Sequence, residues 1–113
     1  WSVPEHAVPT HGDGANRNLP LPEGTGHQGW LDAVATAVES VAGFEPGAVV
    51  LSLGVDAAAD DPESPLRVTA EGYHRAAHQV AALGVPVVAV QEGGYHLPTL
   101  GGLVAAALDG LRG

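Results

Sequence analysis

The 113-residue chain contains no cysteine. Disulfide frameworks, thiolate metal sites and cysteine nucleophiles are therefore excluded. It has no lysine and only four arginines, against thirteen acidic residues, for a formal charge of −9. That balance argues against nucleic acid or an anionic membrane as a partner and favours a cationic ligand. The plainer reading of the same charge is solubility. Aromatic residues are scarce at 4%, while apolar residues reach 45%, so Ala, Val and Leu must fill the core. No run approaches the roughly 18 continuous apolar residues of a membrane span. The N-terminus lacks the basic-then-apolar pattern of a signal peptide, and the expected location is cytoplasmic. The length suits one domain or part of one. A first residue of Trp1 rather than methionine points to a fragment or a processed chain.

Proline and glycine punctuate what is present. Residues 1–26 carry Pro4, Pro9, Pro20 and Pro22 and several glycines, and are expected to form an irregular N-terminal loop segment. Residues 27–113 are expected to hold the elements in the order α-β-α-β-α. Trp30, Leu31, Val34, Val38 and Val41 recur at helical spacing, with Gly43 as a stop. Residues 47–54, GAVVLSLG, read as a short strand whose two faces are both apolar, as in a parallel sheet covered on both sides. Residues 56–69 read as a loop with Pro62 and Pro65. Thr69 is a good N-cap for a helix reaching about Leu83, with Gly84 as its stop. Val85 to Val90 is the next strand, and Leu97, Leu100, Leu103, Val104, Ala107, Leu108 and Leu111 mark a last amphipathic helix. Alternating strands and helices of this length predict an α/β fold with a parallel sheet. Two strands make a small sheet with bare edges, so the segment reads as part of a larger α/β domain.

In an open parallel sheet, functional loops gather at the carboxyl ends of the strands. The first strand ends in Gly54, Val55, Asp56 and the second in Gly93, Gly94, Tyr95. Parallel strands would send Asp56 and Tyr95 off the same edge. An Asp there supplies a hard anionic ligand, and a Tyr hydroxyl supplies a donor for a developing oxyanion. The pair points to metal-assisted hydrolysis of a carbonyl compound. Taken singly, the two residues are more simply explained as a helix-capping Asp and a packed Tyr, because one Asp and one Tyr define no site.

Three blocks extend the argument: GANRNLPLPEGTGHQGWLDAV, LSLGVDAAADDPESPLRVTAEGY and VQEGGYHLPTLG. In order and spacing they resemble the C-terminal portion of the histone deacetylase superfamily, with the nearest likeness to bacterial deacetylase-like proteins and acetylpolyamine amidohydrolases. The resemblance implies the three-layer α/β/α, arginase-like deacetylase fold. It implies a zinc cofactor with Asp56 as one ligand, and Tyr95 as the catalytic donor that polarises the substrate carbonyl. Gly93 and Gly94 fall on the glycines that shape the pocket beside it. The family often has two more glycines where this chain has Gln91 and Glu92, and the acetylpolyamine type tolerates an acid there. The family's upstream Asp-x-His zinc pair and His-His acid–base pair have no counterpart here. His6, His11, His27, His74, His78 and His96 are all isolated. The expected function is therefore the C-terminal part of a zinc-dependent hydrolase of acetylated amines (acetylpolyamine or acetyl-lysine), incomplete and inactive alone. The alternatives are a non-catalytic module of the same fold that binds an acylated amine, and an unrelated doubly wound ligand-binding domain.

Glu63 is the secondary candidate. A carboxylate at the pocket rim would select a substrate with a distal ammonium, such as an acetylated polyamine; otherwise it is a solvated loop residue near a helix start. His74 and His78 lie four apart on one helix after Glu71, a spacing open to a metal, though a half-exposed helix surface explains them more simply. The glycine-rich stretch THGDGANRN lacks the Lys-Ser/Thr ending of a phosphate loop. No Gly-x-Ser-x-Gly elbow is present, and Ser52 lies within a predicted strand, which removes serine hydrolysis.

Overall fold

The computed structural model describes residues 16–113. His6, His11 and Asp13, with most of the glycine-rich stretch, lie outside the described residues. Residues 16–26 contain no helix or extended strand. The elements then follow as α1 (His27–Phe44), β1 (Val49–Leu53), α2 (Ala70–Ala81), β2 (Val87–Gln91) and α3 (Leu97–Leu111). The two strands pair in parallel, with Val49 opposite Val87 and Leu53 opposite Gln91.

Local chemistry explains the boundaries. Helix α1 runs through Gly43 and ends at Phe44, one residue beyond the glycine stop expected from the sequence. The stop is Glu45, which adopts the left-handed conformation at φ 54° while its N–H donates to the Ala42 carbonyl. Pro46 follows, and a residue before proline is disfavoured in the right-handed helical region. Helix α2 starts at its expected cap: the Thr69 hydroxyl accepts a hydrogen bond from the Gly72 N–H at 3.2 Å. The last turn after Ala81 loosens, and Gly84 reverses the chain at φ 73°. Pro98 sits in the first turn of α3, where its missing N–H costs nothing.

The core lies between the helices and one face of the sheet. Leu53 joins Tyr73 and Ala77 of α2 and Leu103 and Ala107 of α3. Trp30 of α1 meets the Tyr73 ring edge-on, with centroids 5.2 Å apart. Helices α2 and α3 approach so closely at Gly110 that a Cβ there would overlap the His74 carbonyl and lie 2.9 Å from the Ala77 Cβ.

Two features matter for the site. First, the sheet is covered on one face only among the described residues. Val50, Ser52, Val88 and Val90 face outward, and Val50 keeps 73% of its surface exposed. Second, the loop expected after β1 is present and carries much of the core. Val55, Leu66 and Val68 are the most deeply buried large side chains, with Ala57 and Ala58 beside them. Each buried Val or Leu contributes about 1.5–3 kcal/mol. Parallel bridges between Ala58 and Val68, and between Gly26 and Arg67, hold this loop in place. A loop this well packed presents its polar side chains in fixed positions.

Candidate active site

The parallel register brings both strand ends to one edge of the sheet, and hydrogen bonds continue past it. The Glu92 N–H donates to the Leu53 carbonyl at 2.9 Å, and the Val55 N–H donates to the Gly93 carbonyl at 2.9 Å. The turn that follows β1 is thereby stitched to the turn that follows β2. Asp56 stands in the first turn and Tyr95 in the second.

Asp56 is half-buried, and its carboxylate lies against the Gly93 backbone. A Cβ on Gly93 would come within 2.7 Å of the Asp56 Cγ and 2.8 and 2.9 Å of its two oxygens. A Cβ on Gly54 would meet the same carboxylate at 2.8 Å. Both glycines leave a cradle that only a hydrogen fits. Gly94 adopts φ 151°, a conformation that side-chain-bearing residues avoid, and a Cβ there would also strike Val55 and Leu100 at 2.7 Å. Thus the glycine pair has two distinct jobs: Gly93 makes room for a carboxylate, and Gly94 turns the chain over the core.

Tyr95 follows with 56% of its surface exposed. Its N–H donates to Asp61 Oδ2 at 2.7 Å. Asp61 is 6% exposed, the one buried charged side chain among the described residues. Its other oxygen accepts from the Glu63 N–H at 2.8 Å. Sequence reasoning passed over Asp61. The available signal was the Asp-Pro-Glu run, since an Asp accepting from the N–H two residues on forms an Asx-turn. The Glu63 side chain is exposed. So Asp56, Gly93, Gly94 and Tyr95 converge on one edge, and Glu63 belongs to the adjoining loop.

Burial on α2 places the Tyr73 hydroxyl under the same loop. It is buried without a hydrogen-bond partner among the described residues. Burial, reinforced by the charge of Asp56, pushes its pKa well above the usual tyrosine value.

The histidine pair on α2 resolves differently. His74 Nδ1 lies 3.5 Å from Asp109 on α3. Glu71 pairs with Arg75 at 3.2 Å rather than with a histidine. Among the described residues no group of three or more His, Asp or Glu side chains is placed to hold a metal. Asp56 has the donor chemistry of a single metal ligand, held in a glycine cradle, whereas a catalytic zinc site needs three protein ligands. The residues present fit one ligand of such a site.

Comparison with known proteins bears on the family and the fold. The histone deacetylase domain family matches residues 3–111. An acetylpolyamine amidohydrolase of Burkholderia pseudomallei (strain 1710b) is 45% identical over 89 residues, covering 79% of this chain and 26% of that protein. A histone deacetylase 8 of Arabidopsis thaliana is 36% identical over 106 residues, covering 88% of this chain and 28% of that protein. Among solved structures, an acetylpolyamine aminohydrolase from Burkholderia pseudomallei superimposes with a TM-score of 0.82 at 41% identity, covering 85% of this chain and 28% of that one. The HDA15 HD domain superimposes with a TM-score of 0.79 at 29% identity, covering 87% of this chain and 29% of that one. The chain thus spans between a quarter and a third of the length of these two relatives.

Proposed function

Because the chain belongs to the histone deacetylase family, we propose that it is the C-terminal portion of a zinc-dependent deacetylase. The expected substrates are acetylated amines, with acetylpolyamines ahead of acetyl-lysine peptides. The observation that carries this reading is the convergence of two strand ends. The Asp56 carboxylate rests against Gly93, two residues before Tyr95, and the two turns are hydrogen-bonded together.

In this reading, residues 27–113 form the α-β-α-β-α end of the domain, and residues 1–26 lead into it. The upstream part of the domain supplies the remaining zinc ligands and the histidine pair. The open outer face of the sheet, with Val50, Val88 and Val90 exposed, supports a larger domain packed over it. The chain on its own neither holds zinc tightly nor turns over substrate.

Each residue then has a defined task. Asp56 holds zinc through its carboxylate. When bound, zinc supplies Lewis-acid polarisation of the acyl carbonyl and lowers the pKa of water to about 7. Tyr95 donates a hydrogen bond to the oxygen that gains charge as the amide carbonyl becomes tetrahedral. Gly93 and Gly94 keep the pocket wall beside it free of side chains. Glu63 offers a carboxylate to a distal ammonium on the substrate, in keeping with the net charge of −9. No helix among the described residues is long and apolar enough to cross a membrane.

The test uses the intact polypeptide, loaded with zinc, on acetylated diamines and on acetyl-lysine peptides. Release of acetate, fastest from the acetylated diamines, is the expected result. Tight binding of the acetylated amine without acetate release would instead favour a silent binding module of the same fold.

A further inference from the structure

We infer that Asp61 is a positioning residue that fixes Tyr95 relative to Asp56. The inference rests on the reading of Tyr95 as the oxyanion donor and adds the device that holds it. Asp61 is a buried carboxylate with no cationic partner among the described residues, an arrangement that is costly unless its oxygens are hydrogen-bonded. Both oxygens are used, and both partners are backbone N–H groups. One bond, at 2.8 Å to Glu63, is local; the other, at 2.7 Å to Tyr95, reaches across 34 residues. Both distances are those of charge-assisted hydrogen bonds.

The second bond matters because of what precedes Tyr95. Gly93 and Gly94 have no side chains to pack, and glycine has little conformational preference of its own. The Gly93 carbonyl is anchored by the Val55 N–H, but without a second clamp the start of Tyr95 would swing on Gly94. The side chain that grips the backbone at this point is Asp61, and Asp61 belongs to the loop that also carries Asp56. Its own backbone is fixed there, with its N–H donating to the Ala58 carbonyl at 3.0 Å and its carbonyl accepting from the Ser64 N–H at 3.2 Å. The Asp61 carboxylate therefore adds, at Tyr95 itself, a side-chain tie to the backbone bond that joins the two turns at Gly93. Misplacing a catalytic group by about 1 Å costs on the order of 10² in rate.

The test is a double-mutant cycle in the zinc-loaded intact polypeptide. Asp61→Asn keeps the shape but turns one acceptor oxygen into a donor, so one of the two N–H groups loses its partner. The expected result is a fall in kcat of about 10- to 100-fold, with KM and zinc affinity unchanged. In a Tyr95→Phe background the same substitution should produce no further fall. A normal kcat in Asp61→Asn would overturn the inference, as would an equal fall in the Tyr95→Phe background or a parallel loss of zinc affinity. Tyr95→Phe with unimpaired turnover would instead overturn the role given to Tyr95 itself, so the two failures are distinguishable. If Asp61→Asn is not recovered folded, Asp61→Glu, which keeps both acceptor oxygens on a longer stem, enters the same cycle with the same expected and contrary outcomes.

Discussion

Adding one methyl group at Gly93 probes the proposed metal ligand without touching it. In Gly93→Ala the new Cβ would lie 2.7 Å from the Asp56 Cγ and within 2.9 Å of both carboxylate oxygens. Carbon atoms in favourable contact sit about 3.5–4.0 Å apart, so the carboxylate must retreat by about 1 Å. Backbone strain does not confuse the result, because Gly93 is not among the glycines with positive φ. Metal sites tolerate ligand distances only within about 0.2 Å of ideal. The displaced carboxylate should therefore cease to ligate well, with zinc affinity falling by about 10- to 100-fold or more, the scale of losses seen when a ligand's support is removed. Competition against a zinc chelator, on the intact polypeptide, measures this directly. Gly54→Ala is the internal comparison. Its Cβ would meet one oxygen at 2.8 Å but the carboxyl carbon only at 3.8 Å, so a smaller loss is expected. Unchanged zinc affinity in a folded Gly93→Ala protein would refute the reasoning, because the carboxylate would then have moved without consequence to the metal.

Three further outcomes are expected. Gly110→Ala should destabilise by about 1–3 kcal/mol, the cost of overpacking a helix crossing, because its Cβ would drive into the His74 carbonyl; a shift in the denaturation midpoint reads this out. Tyr73 has a folded-state pKa raised above its unfolded value, so its contribution to stability is intact below about pH 10 and lost as pH rises through the raised value. Tyr73→Phe should therefore flatten the alkaline fall in stability, followed by denaturant titration between neutral pH and pH 11, and an unchanged slope would contradict it. Glu63→Leu should lower kcat/KM for acetylated polyamines by about tenfold relative to acetyl-lysine peptides, the size of one exposed charge interaction lost together with its steering; an unchanged preference would remove Glu63 from substrate selection.

Which parts of the molecule were legible follows from the range of the interactions that determine them. The alternation of helices and strands rests on local periodicity, and the Thr69 cap on a contact three residues long, so both could be read in advance. The family fold was legible because its motif blocks survive in order. The end of α1 was misjudged by a residue, since Gly43 drew attention from Pro46, whose ring acts on its predecessor. The loop from Val55 to Val68 was legible as a loop, but its burial was not. Pro62 and Pro65 mark it as irregular, which it is, but irregular backbone can still be buried when bridges to Val68 and Arg67 satisfy it. Asp61 was hidden for a related reason. Asp60, Asp61 and Glu63 crowd together in the sequence, and nothing local tells which one turns inward. That choice is made by an N–H 34 residues away. The bare outer face of the sheet was equally illegible, because an apolar strand reads the same whether its cover is present or lies elsewhere.

The most direct measurement is anomalous diffraction at the zinc edge from crystals of the intact, zinc-loaded polypeptide. The account predicts a single peak about 2 Å from a carboxylate oxygen of Asp56, on the edge of the sheet from which Tyr95 projects. A peak bound elsewhere, with Asp56 still resting unligated against Gly93, would contradict it.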